Sequence, residues 1–271
     1  MKNGTLIIAE TFYSIQGEGP TTGIPAIFIR LGGCNLVCGR NQDDSPASGA
    51  AWECDTIDVW RKGKRTKIED LVKSLDENFD LFCRLHNGAH VVITGGEPLM
   101  QDIAPLMAVI TSQFFTRYPG TRYVPFFEVE TNGTIRPGND VIKFVSQWNV
   151  SPKLKNSGQP ESKRINPEAI ADFVKLSNYG GPLTPMHGAV ILMVCVYFKF
   201  VVSSFEDFYE VQEVFLQPFK IDPQNVVLMP AAGSLDELKK TLPVVAEICK
   251  TYVLRMTSRA QIEIWNQTTG V

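Results

Sequence analysis

Cys34, Cys38 and Cys54 lie close enough in the chain to share one inorganic centre. Three thiolates can hold three irons of a four-iron cluster and leave the fourth iron open to an exchangeable ligand. Such open-iron sites are usually written C-x3-C-x2-C. Here the spacing is C-x3-C-x15-C, with Asn41 where the third cysteine of the compact form would fall. Lengthening that interval adds roughly 2 kcal/mol of closure entropy, which metal ligation readily offsets. Two other readings stay open from spacing alone: three unrelated thiols, or a structural zinc centre. The zinc reading normally needs four ligands from two paired clusters, and no C-x2-C occurs in the chain. His86 and His90 have a zinc-compatible spacing, but Asn87-Gly88 between them reads as a helix stop that would point the rings apart. Cys83, Cys195 and Cys249 fall in apolar patterns and read as small core residues.

Three further polar turns matter: Thr94-Gly95-Gly96-Glu97-Pro98, Glu130-Thr131-Asn132-Gly133-Thr134 and Ser151-Pro152-Lys153. Each has a plain reading as turn chemistry. Each also follows an apolar run, and in parallel sheets functional groups collect beyond the carboxyl ends of the strands. The runs that would position them are strands at 26–31, 91–94, 125–129, 144–150, 197–202, 225–229 and 252–254. Helices are expected at 67–86, 100–115, 167–176, 205–215 and 235–250. Repeated strand-then-helix units imply an α/β fold with a parallel sheet and right-handed crossovers, either a barrel or part of one. One domain covering 1–271 is expected, with 39–66 and 178–188 as surface excursions.

The composition suits a globular enzyme, with 44% hydrophobic and 20% charged residues. A net charge of −3 gives no reason to expect nucleic acid or a membrane as partner. The residues after Met1 form no apolar leader, and the run 189–198 is too short to span a bilayer. Unpaired thiols then point to a reducing, cytoplasmic setting. The basic run 61–65 reads as a solvated loop, with a docking patch for an acidic flavodoxin or ferredoxin as its functional alternative.

Taken together, these motifs resemble the radical S-adenosylmethionine enzymes, and more narrowly the 7-carboxy-7-deazaguanine synthase family. The segment Glu10-Thr11-Phe12-Tyr13-Ser14-Ile15-Gln16-Gly17-Glu18-Gly19 is similar to that family's N-terminal substrate loop, and Cys54-Asp55-Thr56 sharpens the match. The resemblance implies a partial (β/α)6-type parallel barrel with that loop at its N-terminus. It implies a 4Fe–4S cluster on Cys34, Cys38 and Cys54, with S-adenosylmethionine chelating the open iron. Gly95, Gly96 and Glu97 would hold the methionine amine, and Glu130, Ser151 and Lys153 the rest of that cofactor. A 5′-deoxyadenosyl radical would abstract hydrogen at C6 of 6-carboxy-5,6,7,8-tetrahydropterin, followed by ring contraction and loss of ammonia. Arg30 would grip the pterin carboxylate with its planar fork, while Gln16 and Glu18 suit the pterin edge. Mg²⁺ would sit on the Thr56 hydroxyl, the substrate carboxylate and waters.

The same resemblance implies a homodimer reduced by a flavodoxin or ferredoxin, in the queuosine pathway. The family's usual close pair of final cysteines is missing, and Gln261 stands near where some members carry a substrate-binding histidine. Two other functions remain open at this level. One is a glycyl-radical activating enzyme of the same superfamily; the other is a non-catalytic, metal-stabilised binding protein.

Overall fold

The computed structural model describes residues 4–179, 194–268 and 270. The expected excursion at 178–188 lies outside the described residues apart from its first two positions. Nine strands form one sheet: β1 Thr5–Ile15, β2 Pro25–Leu31, β3 Lys64–Lys67, β4 His90–Gly95, β5 Phe126–Thr131, β6 Gln147–Val150, β7 Cys195–Val202, β8 Val226–Pro230 and β9 Arg255–Met256. Their order is β3-β1-β2-β4-β5-β6-β7-β8-β9. From β2 onward every pairing is parallel, whereas β1 runs antiparallel to both neighbours. The edge strands β3 and β9 do not pair, so the sheet is open and the barrel partial, as expected.

The strands form because two-residue alternation separates two kinds of side chain. On β2, Ile27, Ile29 and Leu31 enter the main core, while Ala26, Phe28 and Arg30 face the other way. On β4, β5 and β6 the core receives Val91 and Ile93, Phe127 and Val129, and Trp148 and Val150. Val92, Thr94, Glu128, Glu130, Gln147 and Asn149 occupy the opposite, concave face. On β7, Phe198 and Phe200 enter the core and Lys199 lies between them on the concave side. Parallel sheets are usually apolar on both faces. This one keeps its hydrophobic packing on the helix-covered side and turns a polar face to a cavity.

Element boundaries depart from the expectation in several places, among them 205–215, where an α-helix Phe205–Glu210 passes into a π-helix Val211–Leu216. The run 67–86 is two helices, Ile68–Phe79 and Leu81–His86, broken at Asp80 with φ 55°. The helix expected from residue 100 begins at Ala104, after a short 3₁₀ turn at Pro98–Met100. The strand expected at 252–254 is absent: the helix Leu235–Tyr252 runs through its start and stops at Val253, again with φ 55°. Residues 10–15 are strand, and the loop proper is the turn Gln16–Ile24, closed by Gln16 N–H to Ile24 O at 2.8 Å and Gly23 N–H to Gln16 O at 2.8 Å. Within 39–66 lie a short helix, Ile57–Trp60, and the start of β3. No helix among the described residues is long and apolar enough to cross a membrane.

Candidate active site

The turns after β2, β4, β5 and β6 all open into one cavity of about 790 Å³ at the carboxyl edge of the sheet. It is lined by Cys34, Cys38, Cys54, Thr56, Gly95, Gly96, Glu130, Ser151, Lys153, Gln16, Glu18 and Arg30. Of the residues expected to hold the cluster, S-adenosylmethionine, the pterin or Mg²⁺, Glu97 alone is not among the lining residues.

The cysteine wall is held from several sides. Leu36 N–H approaches Cys34 Sγ at 3.5 Å, and Cys54 N–H donates to Cys38 O at 3.1 Å. Cys54 Sγ lies 3.5 Å from Thr56 Oγ1. Asn35 ties this wall to the turn after β5: its Nδ2 donates to Thr134 Oγ1 at 2.8 Å and its Oδ1 accepts from Asn132 Nδ2 at 2.9 Å. Burial pushes the Cys34 thiol up to about 11 and Cys38 up to about 12, and negative charge on the neighbouring cysteines adds to the effect. All three thiols are free. No histidine and no fourth cysteine is among the cavity's described lining residues.

Among the described residues no three or more His, Cys, Asp or Glu side chains converge on a single ion. A four-iron cluster spreads its three thiolates around its corners, so it asks for a wall of thiols rather than a point of convergence. Three free cysteines lining one cavity would fit such a group. Iron would reverse the thiols' preference for the proton, because a coordinated thiol is deprotonated.

Gly95 and Gly96 pass so close to the cysteine loop that no side chain fits. A Cβ on Gly96 would lie 1.9 Å from Gly33 O, and one on Gly95 2.4 Å from Leu31 O, at φ +143°. Glu97, next in the turn, is wholly buried. Its carboxylate accepts from Thr131 Oγ1 at 2.8 Å, Asn132 N–H at 2.7 Å and Leu99 N–H at 3.0 Å. Burial pushes the Glu97 carboxyl up, against these donors, which pull it down. Across the cavity, Lys153 Nζ donates to Ser151 Oγ at 2.9 Å and stands 5.8 Å from the Trp52 ring centre.

The concave face supplies the other side. Arg30 gives its Nε–H to Glu10 at 2.7 Å, and its Nη groups have no hydrogen bond among the described residues. Gln16 Nε2 reaches Glu130 Oε1 at 3.3 Å and Glu128 Oε2 at 3.4 Å, and Thr94 Oγ1 donates to Glu130 Oε2 at 2.7 Å. Glu128 lies deeper, with no exposed surface. It accepts from Thr21 Oγ1 at 2.9 Å, Asn149 Nδ2 at 3.0 Å and Gln147 Nε2 at 3.2 Å, and it sits 2.6 Å from His90 Nδ1. His90 thus joins the sheet interior rather than a site with His86, which stacks on Tyr118 at 4.2 Å.

Glu18 carries the densest charge contacts. Lys199 Nζ stands 2.5 Å from its Oε2, while Arg259 Nε at 2.9 Å and Gln261 Nε2 at 2.7 Å reach Oε1. Burial alone would raise its pKa, but the Lys199 and Arg259 cations hold it well below the usual carboxylate range. Arg259 also donates to Ala232 O and, through Nη2, to Asp55 Oδ2 at 2.6 Å. Gln261 lines the cavity, and its Oε1 is buried with no hydrogen-bond partner among the described residues.

The sequence reading missed Lys199, Arg259, Glu128 and Asn149 as site residues. A lysine between Phe198 and Phe200 in a buried strand was the one available signal. The others become visible only when the strands are laid side by side.

No family model matches the chain. Curated relatives do. The 7-carboxy-7-deazaguanine synthase of Pyrobaculum aerophilum is 30% identical over 265 residues, covering 97% of this chain and 96% of the relative. That of Rhodopirellula baltica is 31% identical over 274 residues, covering 98% and 89%. Among solved structures, QueE from Escherichia coli superposes with a TM-score of 0.60 at 23% identity, covering 94% of each chain, a likeness of fold.

Proposed function

This chain belongs to the 7-carboxy-7-deazaguanine synthase family, and from that premise we propose that it converts 6-carboxy-5,6,7,8-tetrahydropterin to 7-carboxy-7-deazaguanine with loss of ammonia. One observation carries the reading: three free thiols, the Gly95-Gly96 turn and a set of carboxylate and cation side chains line a single cavity. When bound, a 4Fe–4S cluster and S-adenosylmethionine would supply one-electron cleavage of the sulfonium and the 5′-deoxyadenosyl radical that takes hydrogen from C6.

The chain's own residues divide the remaining work. Cys34, Cys38 and Cys54 hold the cluster. The backbone at Gly95 and Gly96 receives the methionine amine, and Glu97 fixes the Asn132 turn through its bonds to Thr131 and Asn132 and its own turn through Leu99 N–H. Ser151 and Lys153, already bonded to each other, offer a hydroxyl and a cation to the ribose and carboxylate of S-adenosylmethionine. Glu130 takes the remaining cofactor contact on the sheet side.

Arg30 has its Nε fixed by Glu10, which leaves the paired Nη groups for the pterin carboxylate. Glu18 stays ionised and accepts from the pterin's amino edge, and Gln16 orients Glu130 beside it. Gln261 Nε2 donates to Glu18 Oε1 at 2.7 Å and so fixes that carboxylate for the pterin's amino edge. Thr56 lines the cavity beside Cys54, where its hydroxyl suits a Mg²⁺ that keeps most of its waters. Free cysteines suit the cytoplasm. A homodimer reduced by an acidic one-electron carrier completes the proposal, in the service of queuosine or related deazaguanine synthesis.

The test is anaerobic reconstitution with iron and sulfide, followed by incubation with reductant, S-adenosylmethionine and the carboxypterin. Appearance of the deazaguanine acid and ammonia is expected. A fully loaded protein that cleaves S-adenosylmethionine yet leaves the pterin intact would overturn the substrate assignment.

A further inference from the structure

The wide gap between Cys38 and Cys54 poses a physical question: the loop's own bonds, such as Ala47 N–H to Gly39 O at 3.0 Å and Asn41 N–H to Ser45 O at 2.8 Å, fold residues 39–50 into turns but do not reach Cys54. The answer lies in another part of the chain, the segment after β6. Gln159, 8% exposed, inserts its amide into the first leg of the loop. Its Nε2 donates to Val37 O at 2.9 Å and Arg40 O at 3.3 Å, and its Oε1 faces Val37 N–H at 3.4 Å. Gly39 N–H donates to Ser157 O at 2.9 Å.

The returning leg docks on the same segment. Ala51 N–H donates to Asn156 O at 2.8 Å, and Trp52 Nε1–H to Asn156 Oδ1 at 2.9 Å. Asn156 is itself anchored to the sheet by Nδ2 to Val201 O on β7, at 3.1 Å. The middle of the loop rests there too, since a Cβ on Gly158 would lie 2.7 Å from Ala47 Cβ. The ion pairs that Arg40 makes with Glu53 and Asp58 also cross the two legs, but they lie near the surface, where such pairs add little.

We propose that the segment Asn156–Gln159 is a template that seats Cys38 and Cys54 side by side before any metal arrives, doing through tertiary contacts what close cysteine spacing does elsewhere. Asn156 and Gln159 are then positioning residues for the metal centre. The proposal draws its purpose from the cluster reading above, but the placement of the loop does not depend on it.

The test begins on metal-free protein, with amide hydrogen exchange at Gly39, Ala51 and Cys54 in the wild type, Gln159→Met and Asn156→Ala. Protection in the wild type is expected. In the variants exchange at these amides should rise roughly tenfold, the factor that matches the loss of one or two net hydrogen bonds, while amides of β2 and β5 stay protected. After anaerobic reconstitution the variants should bleach faster in a chelator by a similar factor, while the thermal midpoint of the metal-free chain falls by only about 3–6 °C. Amides already exchanging freely in the metal-free wild type would overturn the template, as would variants that match the wild type in both protection and bleaching. A protected loop in a wild-type protein that takes up no iron would support the template and sink the cluster reading. A loop that becomes ordered only on iron uptake would do the reverse.

Discussion

Replacing Glu18 by Gln removes the one carboxylate on which Lys199 and Arg259 converge. These three side chains are only 7–14% exposed, so the two cations would be left in a poorly solvated place. Deleting one partner of a buried ion pair costs about 3–5 kcal/mol, because the survivor keeps its desolvation cost without its attraction. Each cation here retains a second anion. Arg259 keeps Asp55 at 2.6 Å, and Lys199 still feels the Glu130 carboxylate. The lower end therefore applies, about 3 kcal/mol. For a chain of this size that corresponds to a thermal midpoint lowered by roughly 6–12 °C.

The pH dependence has a definite sign. Burial would raise the pKa of Glu18, but the two cations hold it well below its unfolded value of about 4.3. A carboxyl lowered in the folded state contributes stability that is present above the unfolded value and lost as pH falls through the folded one. The gap between wild type and Glu18→Gln should be full near neutral pH and shrink by about 1.4 kcal/mol for each pH unit below about 4. Lys199 is raised, so its share is lost only on the alkaline side, as pH climbs through its folded value. Denaturant unfolding of the metal-free proteins at neutral and acid pH measures both quantities. A variant within about 1 kcal/mol of wild type at neutral pH, or a gap that stays constant on acidification, would refute the reasoning.

Cys38→Ala should remove the thiolate-to-iron absorbance and most of the bound iron after reconstitution, read by spectroscopy and iron analysis. Gly96→Ala would drive a methyl group into Gly33 O and displace the cysteine loop; the expected outcome is a folded chain with much reduced cluster retention, checked by circular dichroism beside iron content. Arg30→Lys keeps the charge but loses the two-point fork, so KM for the carboxypterin should rise about tenfold with iron content unchanged, as steady-state kinetics on the loaded enzyme would show.

The parts of the fold that were legible in the sequence are those written locally. Apolar runs marked all but the last of the parallel strands, and the polar turns that follow them do open into one cavity, because a strand's carboxyl end lies where its run stops. Glu97 shows where this reading ends: a carboxylate after two glycines is visible in sequence, but its direction depends on Thr131 and Asn132 in the next turn. Arg259, Glu18 and Asp55 meet from three distant stretches, and a single sequence holds no record of that pairing. The break at Asp80 was hidden because apolar spacing continues on both sides of it. The concave polar face escaped notice because alternation inside a short, mostly apolar strand reads as interruption rather than as a second surface.

The Glu128 carboxylate acts as a register key for the sheet. Groups from β4, from β6 and from the turn between β1 and β2 all close on that one side chain. Sliding any of those segments by one residue would turn its donor to the opposite face and strand a fully enclosed acid. Greasy contacts tolerate small slips, and this set of bonds does not. The depth at which Gln16 and Glu130 stand above it is therefore settled by a lock at the bottom of the well, and a hydrophobic replacement there should blur the geometry above before it weakens the fold.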